Sequence, residues 1–471
     1  MLVSRGLRDW RDRWRTIAKR RLPMPLAWAQ NEPRYPCAMP MQNQNPRLIE
    51  ALSQLDQLTN WEQRPRGEMR VGLEPILDLS ARLGNPHRAF RSIHVAGTKG
   101  KSSTSALLEA GLRHAGISVG RYASPHVEHI SERVSINGRP VEEAALAEAL
   151  FLALDALRAA RTEGSAAEAA TWFDMLTAAG FLIFRDAGLQ WAVVETGLGG
   201  RLDSTNIVAS DVSIITNIGL EHTEILGKTR AAIAFEKAGI IKPHSTVVTP
   251  LEADDEAGAV IAKRAAEIEA RLVRPDFSGL KTIAERNVAV AGAALDVLRE
   301  LGVEGQDGRK VGGWLIDRAA EQESQLPGRL ERFVVPVAGR GVSVALDGAH
   351  VPFNLEAVLD DLSGMDGFAG PGIAVVAIAA DKDAAGLLEV MGRYGVSPIF
   401  TSVSDRFRSP AELRKLADTI GLSCDVIEDP QKAYEKALER AAAAGAWVIL
   451  TGSLYLVGLL RERIIREAAK G

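Results

Sequence analysis

Two cysteines among 471 residues, Cys37 and Cys424, are too few for a disulfide framework or a cysteine-built metal cluster. That scarcity fits a reducing compartment, so the expected location is the cytoplasm. The start lacks an apolar stretch of signal-peptide type, and no run is long enough to span a bilayer. No single charge dominates: 56 Lys+Arg against 60 Asp+Glu leave a formal net charge of -4. Nothing global therefore points to nucleic acid or a membrane as partner. What is present is 46% hydrophobic and 25% charged residues, over a length that suits two or three domains. That is the profile of a soluble globular protein.

The charge is uneven along the chain. The first forty residues carry nine Lys/Arg (Arg5, Arg8, Arg11, Arg13, Arg15, Lys19, Arg20, Arg21, Arg34) against three acids (Asp9, Asp12, Glu32). The leading reading of residues 1–40 is a disordered basic extension, or a start placed too early with Met39 or Met41 as the true first residue. An amphipathic surface or partner helix and a targeting peptide are the other two readings.

Beyond this tail, short apolar runs alternate with amphipathic segments. Strands are expected at 92–97, 119–124, 191–196, 212–218 and 246–250, with helices at 103–115, 141–160, 172–186, 229–238 and 285–301. A polar, Gly-rich stretch within 302–327 marks a boundary. A second series then places strands at 342–348, 373–380, 397–403, 424–429 and 447–452. This grammar predicts an α/β protein: a mainly parallel sheet covered on both faces, plus a smaller C-terminal α/β domain.

One stretch carries chemistry, "VAGTKGKSS" (95–103). Gly100, Lys101 and Ser102 fit the end of the phosphate-loop pattern G-x-x-x-x-G-K-[ST], but the place of the first glycine holds Val95. The glycines sit where a strand turns into a helix. Free N–H groups and the helix dipole favour an anion there, and Lys101 adds charge. A plain strand-to-helix turn is the competing reading. Glu195 ends the run "WAVVE", at the end of a strand where open α/β sheets bind ligands. Gly197, Gly199, Gly200 and Asp203 follow it. His222 stands just past the next strand, and its position alone leaves it balanced between metal ligand and structural residue.

Together these pieces resemble one family, folylpolyglutamate synthase and the bifunctional dihydrofolate synthase, relatives of the peptidoglycan Mur ligases. The resemblance runs over about residues 46–465. It rests on "HVAGTKGKSST", "GRYASPHVEHISERVSINGRPV", "WFDMLTAAGF", "VVETGLGGRLDSTNIV", "TNIGLEHTEILGKTRAAIAFEKAGIIKP", "LPGRLE", "LDGAHVP", "ADKD" and "TGSLYLVG", in that order. The family's loop, G-T-[NK]-G-K-x-[ST], dispenses with the distant glycine, so Val95 is no defect.

The resemblance implies an ATP-dependent ligase that phosphorylates a pterin carboxylate and lets L-glutamate displace the phosphate. It implies ATP held by Thr98, Lys99, Gly100, Lys101 and Ser102, with Asn287, Arg329 and Asp347 contributing and His350 near the phosphates. Lys101, Lys237 and His350 are the implied catalytic residues. Mg2+ at two sites would be held by Ser124, Glu195, His222 and a carbamylated Lys237. Pterin contacts are implied at Glu68, Met69, Arg70 and Val71, at Thr171, Trp172, Phe173 and Asp174, and at Leu202, Asp203 and Ser204. The implied domains are 41–318, a P-loop-type, mainly parallel sheet ATPase domain of the Mur-ligase central type that binds ATP and pterin, and 325–471, a smaller Rossmann-like α/β domain of the C-terminal type. The implied partners are small molecules (folate or dihydropteroate, L-glutamate, ATP), with no nucleic acid, no membrane and a monomeric state.

Four departures stand out. Val351 replaces a usual asparagine, Ser102 a usual glycine, Asp174 a usual glutamate and Glu221 a usual aspartate. Two rival readings compete with this one. One is a Mur-type ligase acting on a UDP-linked cell-wall precursor, which the loop "SPHVEHISERVSINGRPV" and the short N-terminal region disfavour. The other is a nucleotide-binding scaffold that has lost ligation, which the retained Ser124, Glu195, His222 and Lys237 disfavour.

Overall fold

The computed structural model describes residues 45–62 and 72–470. The basic extension 1–40 and Glu68, Met69, Arg70 and Val71 lie outside the described residues. Eight strands form a first sheet, its central ones from apolar runs: β1 (Arg91–Ala96), β2 (Val119–Tyr122), β3 (Val134–Ile136), β4 (Arg139–Pro140), β5 (Trp191–Glu195), β6 (Val212–Ile215), β7 (Thr246–Val248) and β8 (Arg271–Val273). Their order is β4-β3-β2-β5-β1-β6-β7-β8. All pairs are parallel except β2 with β3 and β3 with β4. The central strands β5, β1 and β6 are buried almost end to end. Strands covered on both faces are apolar throughout, which is why these runs do not alternate.

A second sheet holds β9 (Glu331–Val337), β10 (Arg340–Leu346), β11 (Gly372–Val376), β12 (Val396–Phe400), β13 (Asp425–Val426) and β14 (Trp447–Thr451). Its order is β13-β12-β11-β14-β10-β9, parallel except for β9 against β10. Two apolar clusters, built around Leu355, Leu388 and Phe400 and around Val344, Tyr434 and Leu460, pack against this sheet.

The expected helices are present as Lys101–His114, Glu143–Glu163, Trp172–Asp186, Arg230–Ala238 and Ile283–Glu300. Several expected strands are too long. The run at 212–218 stops at Ile215; Thr216 N still donates to Ala96 O, and from Asn217 the chain turns to bond the loop after β1. The run at 373–380 stops at Val376, and that at 424–429 shrinks to Asp425–Val426. Strands β3, β4, β8 and β9 are additions to the expected set. The β3–β4 hairpin turns at Asn137-Gly138, both at positive φ, and Asn-Gly is the strongest short hairpin signal. Strand β9 is a half-exposed edge containing Pro336, so its apolar pattern is weak.

The chain divides into two compact units. Among the described residues, one comprises those up to His126, Ser131–Asp276 and Val288–Ser324, and the other Val127–Ile130, Phe277–Asn287 and those from Gln325 onward. Among the described residues no helix is long and apolar enough to cross a membrane.

Candidate functional site

In the first unit, β1 lies between β5 and β6 in parallel register, with Val95 opposite both Glu195 and Ile214. Strand β2 lies on the other side of β5, with Tyr122 opposite Val194. The segments leaving β1, β2, β5 and β6 therefore emerge along one edge of the sheet. They carry the loop Gly97–Gly100, Ser124, Gly197 onward, and Thr216 to His222. Val95, in the place of the missing glycine, is a fully buried strand residue.

The loop is shaped mainly by the segment after β6. Thr98 N donates to Asn217 O at 3.0 Å. Lys99 N donates to Asn217 Oδ1 at 2.9 Å, Thr216 Oγ1 to Lys99 O at 2.6 Å, and Gly219 N to Thr98 Oγ1 at 2.9 Å. Lys99 Nζ pairs with Glu221 at 3.1 Å. The Thr98 hydroxyl and Lys99 ammonium thus brace the loop against its neighbour. Gly100, at φ 80, caps the helix Lys101–His114 and leaves the first N–H groups of that helix at the sheet edge. Gly97 has φ 152, and a Cβ there would stand 1.9 Å from Thr216 Oγ1. Gly97→Ala is expected to lose about 2–4 kcal/mol of stability by urea titration, through strain and a clash with a buried, bonded hydroxyl.

Two lysine side-chain nitrogens share one acceptor at this edge. Lys101 Nζ donates to Gly97 O at 3.1 Å, and Lys237 Nζ donates to the same oxygen at 3.0 Å. Lys101 also stands 4.0 Å from Glu195 Oε1, which accepts from Ser102 Oγ at 3.0 Å. Lys237, on the helix Arg230–Ala238, is 5% exposed. Burial first, and then the nearby Lys101 charge, push its pKa down to about 7.

The other metal candidates follow the strand ends. Glu195 is 1% and Ser124 7% exposed. His222 has a left-handed backbone, φ 54, and its Nε2 is 3.7 Å from Glu221 Oε1. Among the described residues, no group of three or more His, Cys, Asp or Glu forms a ready metal cage. Oxygen donors from one carboxylate and one hydroxyl suit Mg2+, which keeps waters and substrate phosphates in its shell. A lysine that is partly neutral near pH 7 suits carbamate formation, because only the free amine adds carbon dioxide.

Three of the residues expected to touch pterin, Thr171, Asp174 and Ser204, form one polar network, and a fourth, Asp203, forms a second beside it. Thr171 caps the helix Trp172–Asp186 in a capping box with Asp174. Asp174 Oδ2 accepts from Thr171 N at 2.8 Å and from Thr171 Oγ1 at 2.7 Å, and its Oδ1 accepts from Ser204 Oγ at 2.6 Å. Asp203 accepts from Leu198 N at 2.8 Å, from Thr205 N at 3.0 Å and from the Thr205 hydroxyl. Burial pushes both carboxyls up while these donors pull them down. Both acids hold the glycine-rich segment after Glu195 in place. Trp172 lies under Arg133, 4.9 Å from its guanidinium, and Phe173 packs on Gly197. Leu202 is half-buried.

His94, in the middle of β1, extends the Asp203 network, with Nε2 2.9 Å from Thr205 Oγ1. Sequence reasoning passed over it and over the Thr216-Asn217 clamp. A histidine inside a buried strand, and a polar pair directly after one, were the available signals.

In the second unit, Asp347 joins two turns: its Oδ2 accepts from Leu330 N at 2.9 Å and its Oδ1 from Ala349 N at 2.8 Å. His350 Nδ1 bonds Gly348 O at 2.8 Å. Arg329 and Asn287 are half-buried. Val351 takes the N-cap position of the helix Pro352–Ser363 and supplies no side-chain cap, the place where an asparagine would supply one.

Residues 95–298 match the Mur ligase middle domain, and residues 328–454 match the Mur ligase glutamate ligase domain. The chain is 32% identical to the dihydrofolate synthase/folylpolyglutamate synthase of Escherichia coli, over 85% of this chain and 93% of that one. It is 30% identical to a probable bifunctional folylpolyglutamate synthase/dihydropteroate synthase of Halobacterium salinarum, over 85% of this chain but only 50% of that longer relative. Among solved structures, Mycobacterium tuberculosis folylpolyglutamate synthase complexed with ADP and AMPPCP superposes with a TM-score of 0.75 at 26% identity, covering 89% of this chain and 98% of that one. A bifunctional folylpolyglutamate synthase/dihydrofolate synthase with Mn, AMPPNP and L-glutamate bound gives 0.72 at 30%, with 89% and 98% covered. The chain belongs to the folylpolyglutamate synthase/dihydrofolate synthase family of the Mur ligase superfamily.

Proposed function

We propose that this chain is an ATP-dependent amide ligase that adds L-glutamate to a folate or pteroate carboxylate. The observation that carries the reading is the convergence of Lys101 and Lys237 on Gly97 O, beside buried Glu195, at a helix N-terminus. The geometry suits phosphoryl transfer, which needs positioning and charge neutralisation more than covalent help.

An oxygen of the acceptor carboxylate attacks the γ-phosphorus, and the bond from that phosphorus to the β–γ bridging oxygen breaks, releasing ADP. The free glutamate amine then attacks the acyl carbon, the C–O bond breaks, and phosphate leaves as hydrogen phosphate, carrying the carboxylate's former oxygen and the proton the amine gives up. Lys101 and the loop N–H groups offset the charge that moves between the oxygens. Glu195 and Ser124 would hold a divalent cation at a first site, and His222 with carbamylated Lys237 one at a second. When bound, the cation supplies charge neutralisation on the phosphates. Asn287, Arg329, Asp347 and His350 belong to the ATP-reading set on this view. Thr171, Asp174, Asp203 and Ser204 serve pterin by fixing the loop walls. Domains at 41–318 and 325–471, a monomeric state and a cytoplasmic location complete the reading.

The test is phosphate release from ATP and Mg2+ with L-glutamate, comparing dihydropteroate with tetrahydrofolate. Glutamate-dependent release with one acceptor alone defines a synthase of that kind, and release with both defines a bifunctional enzyme. Release with neither overturns the proposal.

A further inference from the structure

We propose that Glu331 and Arg461 are positioning residues that fix the turn carrying Arg329. This rests on the reading of Arg329 as an ATP contact. Two of the sequence motifs, "LPGRLE" and "TGSLYLVG", meet here. Glu331 Oε2 accepts from Gly328 N at 2.7 Å and from Arg461 Nε at 2.8 Å, and its Oε1 accepts from Arg461 Nη2 at 2.8 Å. Arg461 reaches onward through Nη1 to Glu128 Oε2 at 2.6 Å, within the segment Val127–Ile130 that packs with this unit. Arg461 is 5% exposed. A buried ionic cluster of this kind is an inefficient source of stability, and its fork geometry is better suited to fixing a register.

The turn is fixed atom by atom. Gly348 N donates to Gly328 O at 3.1 Å, Gln325 Nε2 to Arg329 O at 2.7 Å, and Leu330 N to Asp347 Oδ2 at 2.9 Å. Gly328 at φ 61 and Leu330 at φ 51 flank Arg329, and a left-handed leucine persists only where its surroundings hold it. The helix Leu454–Ala468 forms the floor: a Cβ on Gly328 would meet Val457 at 2.9 Å and Leu454 at 3.2 Å. The backbone of 328–330 is thus committed on both sides. The Arg329 guanidinium makes no hydrogen bond or ion pair among the described residues.

The experiment is a double-mutant cycle on the full chain, reading KM for ATP, kcat and the melting temperature. Arg329→Ala should raise KM for ATP about tenfold or more, the loss of one charge-assisted contact. Arg461→Lys keeps the charge but loses the fork on Glu331, and should raise the same KM about tenfold. Glu331→Gln, nearly isosteric, should behave likewise, with a lowered melting temperature because Arg461 loses a buried charged partner, but with a chain still folded at the assay temperature. Added to Arg329→Ala, neither substitution should raise KM further, because both act through Arg329. Multiplying effects in the double variants, or unchanged KM in folded Arg461→Lys and Glu331→Gln, would overturn the positioning role. An inert Arg329→Ala would instead remove the reading of Arg329 itself.

Discussion

Lys101→Ala is expected to release phosphate about a thousandfold more slowly than the parent chain. The ammonium stands at the first residue of the helix Lys101–His114, 3.1 Å from Gly97 O and 4.0 Å from Glu195. No other residue of the loop combines mobile positive charge with that place, because Lys99 is already paired with Glu221. The fold should survive, since the loop is held through Thr98, Lys99, Thr216 and Asn217 instead. A melting temperature within about 4 °C of the parent, a shift worth no more than roughly 1–2 kcal/mol, separates lost chemistry from lost structure. Turnover close to the parent's would take the loop out of the mechanism.

The second large effect concerns Lys237. Lys237→Ala should be inactive and partly recover with a small added carboxylate, which would replace the anionic oxygens of a carbamate. Full activity without any supplement would show that no carbamate operates. A second readout needs no substrate. The folded pKa is about 7 against an ordinary 10.5, so between these values the unfolded chain holds a proton that the folded chain has released. The contribution of this group to stability therefore rises with pH across that window. Below pH 7 both states are protonated and the full penalty of a buried ammonium beside Lys101 stands. Lys237→Met should accordingly stabilise the ligand-free protein, on the order of a few kcal/mol at pH 6 and clearly less by pH 9, as measured by urea unfolding. A difference independent of pH would mean that Lys237 is not desolvated.

The parallel sheets were legible because buried strands such as "IHVA" and "WAVVE" announce themselves by continuous apolar character. Strands β8 and β9 were not, since an edge strand shows half its residues to solvent and keeps no such run. The β3–β4 hairpin was legible in Asn137-Gly138 and was passed over because its strands are only three and two residues long. At the site, Lys101 and Glu195 could be found because strand ends and glycines mark them. The double use of Gly97 O could not, since Lys237 reaches it from a helix 140 residues away. The acids Asp174 and Asp203 look like ligand-binding groups in sequence. Only coordinates reveal that their oxygens are occupied by Thr171, Ser204, Leu198 and Thr205.

On the proposed mechanism the acceptor's own carboxylate is phosphorylated before the amide forms. The most direct measurement supplies an acceptor whose carboxylate carries 18O, together with ATP, Mg2+ and L-glutamate, and weighs the phosphate released. Each amide made by a doubly labelled carboxylate should leave one 18O in phosphate. Amide formation with unlabelled phosphate would contradict the mechanism.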